Sequence, residues 1–354
     1  MRVCGVSSGT IAGVFPSLPP NGDRNNWDDD LSREIARASP RAASGVYGAV
    51  PDGAEPHRSD RPAGLESLDE EEPEQEIETV PVRRQLSLAI AGFAVLLAVG
   101  LILGAQTSGP DARTPYAIVI LGVQLLYVLA WTTAMRPPVP ALVAGIAIIA
   151  AGLSDYLAVN TDAPRVLPFL YVALLGIVIV VIGQLAMRVD RLRVRDALGS
   201  ALLIVFGVTA FASLIALTRK PVGTQAVIVC LTAAGVALAV ARLADAVFPR
   251  PRIAPQVPRG GSGIVLGAMV GTLVAAGLGG VLVLPFTPAR GAILGLVAAS
   301  VAVLVDLAVN FTEAGRRLVE QAPTFWLARH MQGPLGAFAL AAPVAYLLTS
   351  VLLT

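Results

Sequence analysis

Lysine occurs once, at Lys220, beside 25 arginines, and histidine and cysteine occur twice each. Only 14% of the 354 residues are charged, where a soluble domain carries about a quarter. Each shortage removes a class of function. Cys4 and Cys230 lie far apart and have no partner at metal-ligand spacing, which excludes a disulfide framework and a thiolate metal site. His57 and His330 leave the apolar part of the chain with one histidine, so no histidine pair is available for a metal. A net charge of +1 makes no case for nucleic acid. The chain has no glycine-rich phosphate loop ending in lysine, no paired-histidine zinc motif and no spacing that would support a Ser–His–Asp triad. No apolar stretch precedes Cys4, so a lipid anchor there is not expected, and membrane insertion is expected from the first span itself.

What the chain has in quantity is apolar sequence: 55% of residues are hydrophobic and the mean hydropathy is +0.70. The charge is concentrated before Arg84. Residues 1–82 are rich in Pro, Gly, Ser, Arg and Asp without apolar periodicity, and such a segment cannot bury enough surface to hold a fold. A disordered polar tail is expected there. Its acidic run, from Glu66 through Asp69 and Glu70 to Glu78, reads as a self-repelling spacer or as a docking segment for a basic cytoplasmic partner.

Residues 83–354 read as an all-α, polytopic transmembrane helix bundle. Spans are expected near Leu86–Ala105, Pro115–Met135, Val139–Ala158, Val166–Met187, Ala197–Leu217, Gln225–Val247, Gly263–Phe286, Gly291–Asn310 and Gly333–Thr354. Most are about 20 residues long, enough for a hydrocarbon core of about 30 Å. Arginine distribution orients them. One set of loops carries Arg83, Arg84, Arg136, Arg188, Arg191, Arg193, Arg195, Arg242, Arg250, Arg252, Arg259, Arg316, Arg317 and Arg329. The other carries Arg113, Arg165, Arg219, Lys220 and Arg290. The positive-inside rule then puts the tail in the cytoplasm and Thr354 outside, in a multi-pass protein of the inner (plasma) membrane.

Small residues recur four apart at Gly263, Gly267 and Gly271 and at Gly291 and Gly295. They suit close helix packing inside one bundle or the interface of a homo-oligomer. Among ionisable residues, Asp306 stands out, deep in an apolar stretch, where a charge is expensive and must face protein or water. It reads either as a functional acid and weak metal ligand or as half of a structural salt bridge to Arg242. Asp245, three residues after Arg242, reads as that arginine's intrahelical partner. Asp155 and Asp162 read as solvated at the outer surface, and Gln124 and Gln184 as interhelical glue. Arg188, Arg191, Arg193 and Arg195, with Arg316, Arg317, Arg329 and His330, form a basic surface that would attract anionic lipid headgroups.

Three segments resemble the membrane-bound phosphatidate cytidylyltransferases (CDP-diacylglycerol synthases), over roughly Val227 to Thr354. Ala254-Pro255-Gln256-Val257-Pro258, followed by Gly260, Gly261 and Gly263, is similar to that family's Ala-Pro-x-Ile-Ser-Pro segment. Asp306-Leu307-Ala308 is similar to its Gly-Asp-Leu-Ala-Glu-Ser stretch, and Gly336 to Leu348 to its final helix. The resemblance implies a cytoplasmic site that transfers a cytidylyl group from CTP to phosphatidate with the help of Mg²⁺. The sequence departs from that pattern where the chemistry is done. Val309 and Asn310 stand where Glu and Ser should follow Asp306. Glu313 and Ala314 replace a Lys-Arg pair, Val319 and Glu320 a Lys-Asp pair, and Trp326 to His330 a glycine-histidine loop. Gly333, Pro334 and Gly336 replace a late acidic cluster, and the lysine expected near Gly260 is missing. One carboxylate cannot hold two divalent ions against a triphosphate. The expectation is therefore a degenerate relative, binding lipid or regulating a partner in phospholipid metabolism, with Mg²⁺ relevant only where the activity survives. The alternatives are a small-molecule transporter, and an enzyme of altered chemistry using Asp306, Glu313, Glu320 and His330.

Overall fold

The structure, a computed structural model, describes residues 83–107, 113–162, 165–187, 191–248, 250–318 and 325–353, with backbone only for 191–197, 317 and 318. The expected tail and Arg188 lie outside the described residues. Within them there are nine helices: α1 (Arg84–Gln106), α2 (Thr114–Met135), α3 (Pro140–Asn160), α4 (Leu167–Ala186), α5 (Arg191–Thr218), α6 (Gly223–Val247), α7 (Gly261–Val281), α8 (Pro288–Leu318) and α9 (Trp326–Leu352). All nine are long and apolar enough to cross a membrane. A helix is the open-chain form that satisfies every backbone polar group within its own segment, as a lipid interior demands. Proline opens α2, α3 and α4 in the first turn, where the missing N–H would have had no helical partner.

Helix ends differ from the hydropathy reading: α7 stops at Val281 rather than Phe286, whereas three helices extend at the arginine-rich end. α5 starts six residues earlier, in the arginine-rich stretch, α8 runs on to Leu318, and α9 starts at Trp326 rather than Gly333. Hydropathy marks where the hydrocarbon ends, and a helix continues into polar flanks that keep helical propensity. α9 passes through Pro334 and Pro343, each of which removes one N–H from the helical hydrogen-bond ladder.

The helices form two groups, which meet directly where α5 touches α6 and α1 touches α2, with one further helix between them. α1, α7 and α8 surround α6, α2, α3 and α4 pack around α5, and α9 lies between, touching α8 and α6 on one side and α5 and α2 on the other. α5 and α6 are the enclosed centres, with 78% and 72% of their most apolar stretch buried, against 22% in α7. Polar contacts fix which ends meet. At the arginine-rich end, Arg316 of α8 donates to the carbonyls of Ala134 and Met135, capping the last turn of α2, and Arg329 of α9 pairs with Glu313 of α8 at 2.6 Å. At the opposite end, Arg113 donates to the Val159 carbonyl, Arg219 to those of Ala158, Thr161 and Asp162, and Lys220 to the Ser350 hydroxyl. The cations on the arginine-poor side are thus spent largely on the carbonyl end of α3, where the helix dipole is negative. Burial there leaves Arg219 and Lys220 with pKa values below their ordinary ones.

The glycine repeat is used inside the chain. A Cβ at Gly263, Gly267 or Gly271 of α7 would overlap the Ala241, Ala237 or Ala233 carbonyl oxygen of α6, and one at Gly291 would overlap the Ala275 carbonyl. Backbones approach directly because no side chain intervenes.

Candidate functional site

The most polar part of the interior lies where α6, α8, α9 and the α6–α7 connector meet. After α6 the chain turns back on itself: Arg252 and Gly260 form an antiparallel bridge, Ile253 N donates to Arg259 O, and Gly261 N donates to Pro251 O. This fold-back carries Arg259 inward until its side chain is wholly buried. Arg242 Nη2 donates to Asp306 Oδ1 at 2.6 Å. Arg259 Nη1 lies 3.0 Å from Asp306 Oδ2 and 3.2 Å from Asp245 Oδ2. These two contacts are ion pairs without the alignment of hydrogen bonds. Asp245 Oδ1 accepts the Gly260 N–H at 2.9 Å, and Asn310 donates to the Asp306 carbonyl at 2.5 Å. Two carboxylates and two guanidiniums therefore form a closed, neutral, buried set.

The salt bridge from Asp306 to Arg242 is the structural reading the sequence offered for that acid. The reading of Asp245 is corrected. Its partners are Arg259 and the Gly260 amide, because Arg242 is drawn to Asp306 across the helix interface. Asp155 is corrected too. It is 6% exposed and accepts a hydrogen bond from Gln124 Nε2 at 3.0 Å, since its face of α3 turns into the bundle rather than towards water. Gln124 also donates to the Val208 carbonyl, tying α2 to α3 and α5. Gln184 is buried, and among the described residues its amide has no hydrogen-bond partner. Asp162 is exposed.

Two cavities adjoin the ion set. The smaller, about 50 Å³, is polar, with Arg242, Asn310, Glu313, Arg329 and His330 on its walls. The larger, about 190 Å³, is an almost wholly apolar groove. α9 forms its floor, α2 and α5 one wall and α8 the other, with α5 and α8 both packed on α9. Val309 and Glu313 line both cavities, so the groove and the polar pocket lie side by side.

The sequence candidates fall into three groups. Arg329 and His330 line the polar pocket, with the His330 ring edge-on to Trp326 at 5.3 Å. Arg316 lies at the groove's polar end while capping α2. Arg191, Arg193 and Arg195 occupy the first turns of α5 and Arg317 the end of α8, with side chains that are not described. Sequence reasoning missed Asp245, Gln256 and Gly333 as parts of this region, and assigned Arg259 only to topology. At Gly333 a Cβ would overlap Asp306 Oδ1, so α9 crosses the ion pair at a residue without a side chain.

Mg²⁺ does not fit these residues. It takes near-octahedral oxygen ligands at about 2.0–2.1 Å, whereas the oxygens of Asp306 face Arg242 and Arg259. Among the described residues no three His, Cys, Asp or Glu side chains come together for a metal. Arg259 lies between the two carboxylates, where a bridging ion would have to be. The chain matches no family model, no curated protein and no solved structure.

Proposed function

We propose that this integral membrane protein binds an anionic amphiphile at the arginine-rich end of the bundle, as a non-catalytic relative of the CDP-diacylglycerol synthases. One observation carries the reading: an apolar groove and a polar pocket holding Arg242, Arg329 and His330 meet at Val309 and Glu313. That is the shape and polarity of a lipid, with its chain in the groove and its headgroup at the cations. The arginine distribution supports a plasma-membrane protein with this end and the tail in the cytoplasm. The ion set then acts as a rigid, neutral platform beneath the headgroup.

The test uses the full chain in nanodiscs containing phosphatidate, phosphatidylglycerol and phosphatidylcholine, followed by native mass spectrometry of retained lipid. Enrichment of the anionic lipids that falls several-fold in Arg329→Gln is the expected result. Retention of phosphatidylcholine in equal proportion would sink the reading. Cytidylyl transfer from CTP to phosphatidate by the same sample would show that the relative is catalytic after all.

A transporter is the second reading, and Asp155 favours it. This carboxylate lies within a span, has Gln124 and no cation as its partner among the described residues, and its Oδ2 has no hydrogen bond. Cation-coupled flux abolished by Asp155→Asn would move the function there.

A further inference from the structure

Gln124 and Asp155 line neither cavity. They meet between α2, α3 and α5, and their contact is half made. Gln124 Nε2 donates to Asp155 Oδ1 at 3.0 Å and to the Val208 carbonyl at 3.1 Å. That carbonyl only accepts, so it fixes the amide with its nitrogen inward, and both amide hydrogens are used. Two acceptors are left over. Among the described residues neither Gln124 Oε1 nor Asp155 Oδ2 has a hydrogen-bond partner, and both atoms are closed off from solvent. The hydroxyl next in sequence, Ser154, is engaged with the Ala150 carbonyl.

A carboxylic acid and a primary amide pair through two hydrogen bonds that close a ring. The amide N–H donates to the acid's carbonyl oxygen, and the acid O–H donates to the amide oxygen. The first of these bonds is present here, and the atoms of the second are the two without a partner. One proton on Oδ2 supplies the missing donor and removes a charge that the interior of a membrane bundle penalises. A hard metal cation takes about six oxygen ligands, and this pair offers two.

We infer that Asp155 is a proton-binding site, holding a proton on Oδ2 that is donated to Gln124 Oε1, so that acid and amide form a closed, neutral ring joining α2, α3 and α5. The inference stands apart from the amphiphile reading; for the transporter reading it names the cation as a proton. Few charges surround the ring. On the helices packed against α3, the titratable side chains described are Tyr116 and Tyr127 on α2 and the exposed Tyr171 on α4, and α5 has none from Leu198 to Thr218. On α3 itself there is the exposed Tyr156. Arg113 and Arg219 donate to the Val159 and Ala158 carbonyls, about one turn beyond Asp155, and neither pairs with it. Release breaks the Oδ2–H bond, leaves the electron pair on the carboxylate and passes the proton to water. An ionised Asp155 then draws on those two arginines, which are the cations that cap α3. Proton occupancy is thereby linked to the arginine-poor end of the bundle.

The experiment is infrared difference spectroscopy of the full chain in nanodiscs, with ordinary and isotope-labelled aspartate. In near-neutral buffer the wild type is expected to show the C=O band of a protonated carboxylic acid. That band should shift with the aspartate label and with deuterated water, and give way to carboxylate bands as the pH is raised. Asp155→Asn should abolish it. Gln124→Leu, which removes the N–H that the acid's carbonyl oxygen accepts, should move it to higher frequency. A wild type with no acid band from labelled aspartate overturns the site, and that result needs no variant. A band that survives Asp155→Asn, or keeps its frequency in Gln124→Leu, overturns the assignment or the ring. Carboxylate bands that respond to added sodium, in place of an acid band, would replace the proton by a metal cation. An acid band that passes these tests while proteoliposomes show no proton flux supports the proton site and removes the transporter reading.

Discussion

Asp306 and Asp155 are both acids inside membrane spans, both buried, and they are held in opposite ways. Asp306 is met by two guanidiniums and lies under the α9 backbone at Gly333. Asp155 is met by one amide, and among the described residues its second oxygen has neither a hydrogen bond nor a cation beside it. The first belongs to a closed set in which every charge has an opposite, and the second to an open one. A closed set resists change because removing any member strands the others, whereas an open one tolerates replacement by a neutral isostere. The arginine-rich end is therefore expected to be the rigid part of the bundle's interior, and the Asp155 region the adaptable part.

The largest effect should come from Asp306→Ala, which leaves Arg242 and Arg259 buried without the acid they share. A loss of about 3–5 kcal/mol is expected, read as a fall in Tm of the purified protein in one fixed detergent. Next is Gly333→Ala, whose methyl group would enter the space of Asp306 Oδ1. Forcing it in should cost about 1–3 kcal/mol, and a silent substitution would mean that α9 does not press on the ion pair. Arg219→Ala removes the hydrogen bonds to three carbonyls at the end of α3. About 1–2 kcal/mol is expected, with faster amide exchange over residues 157–160 as the local sign. Asp155→Asn should be smallest, within about 1 kcal/mol, because an amide can keep the Gln124 contact. Stability loss in Asp155→Asn as large as in Asp306→Ala would erase the contrast between the two acids.

The number, order and alternation of the spans were readable because lipid imposes a simple demand, about 20 apolar residues with internal backbone bonding. Asp306 was readable for the same reason, as an acid in the wrong solvent, and Arg242 as a partner within reach. Arg259 was not. It sits between Pro258 and Gly260 in a connector that looks like any charged loop, and it is buried only because that connector folds back between the ends of α6 and α7. Asp245 was misread because intrahelical spacing offered Arg242 first, while tertiary contact had a better use for that arginine. Asp155 was misplaced for want of any signal for which way α3 turns, since the helix is apolar on every side.

The inner face of α7 consists of Gly263, Gly267, Gly271, Ala275 and Gly279. Not one of these side chains has a rotamer to choose. Fixing a long side chain in one conformation costs up to about 2 kcal/mol, and fixing glycine or alanine costs nothing. The backbone of α7 is already ordered by the bilayer before it meets α6. Docking α7 thus sacrifices almost no conformational freedom, and a modest dispersion gain suffices to hold in place the helix that lies against Asp245.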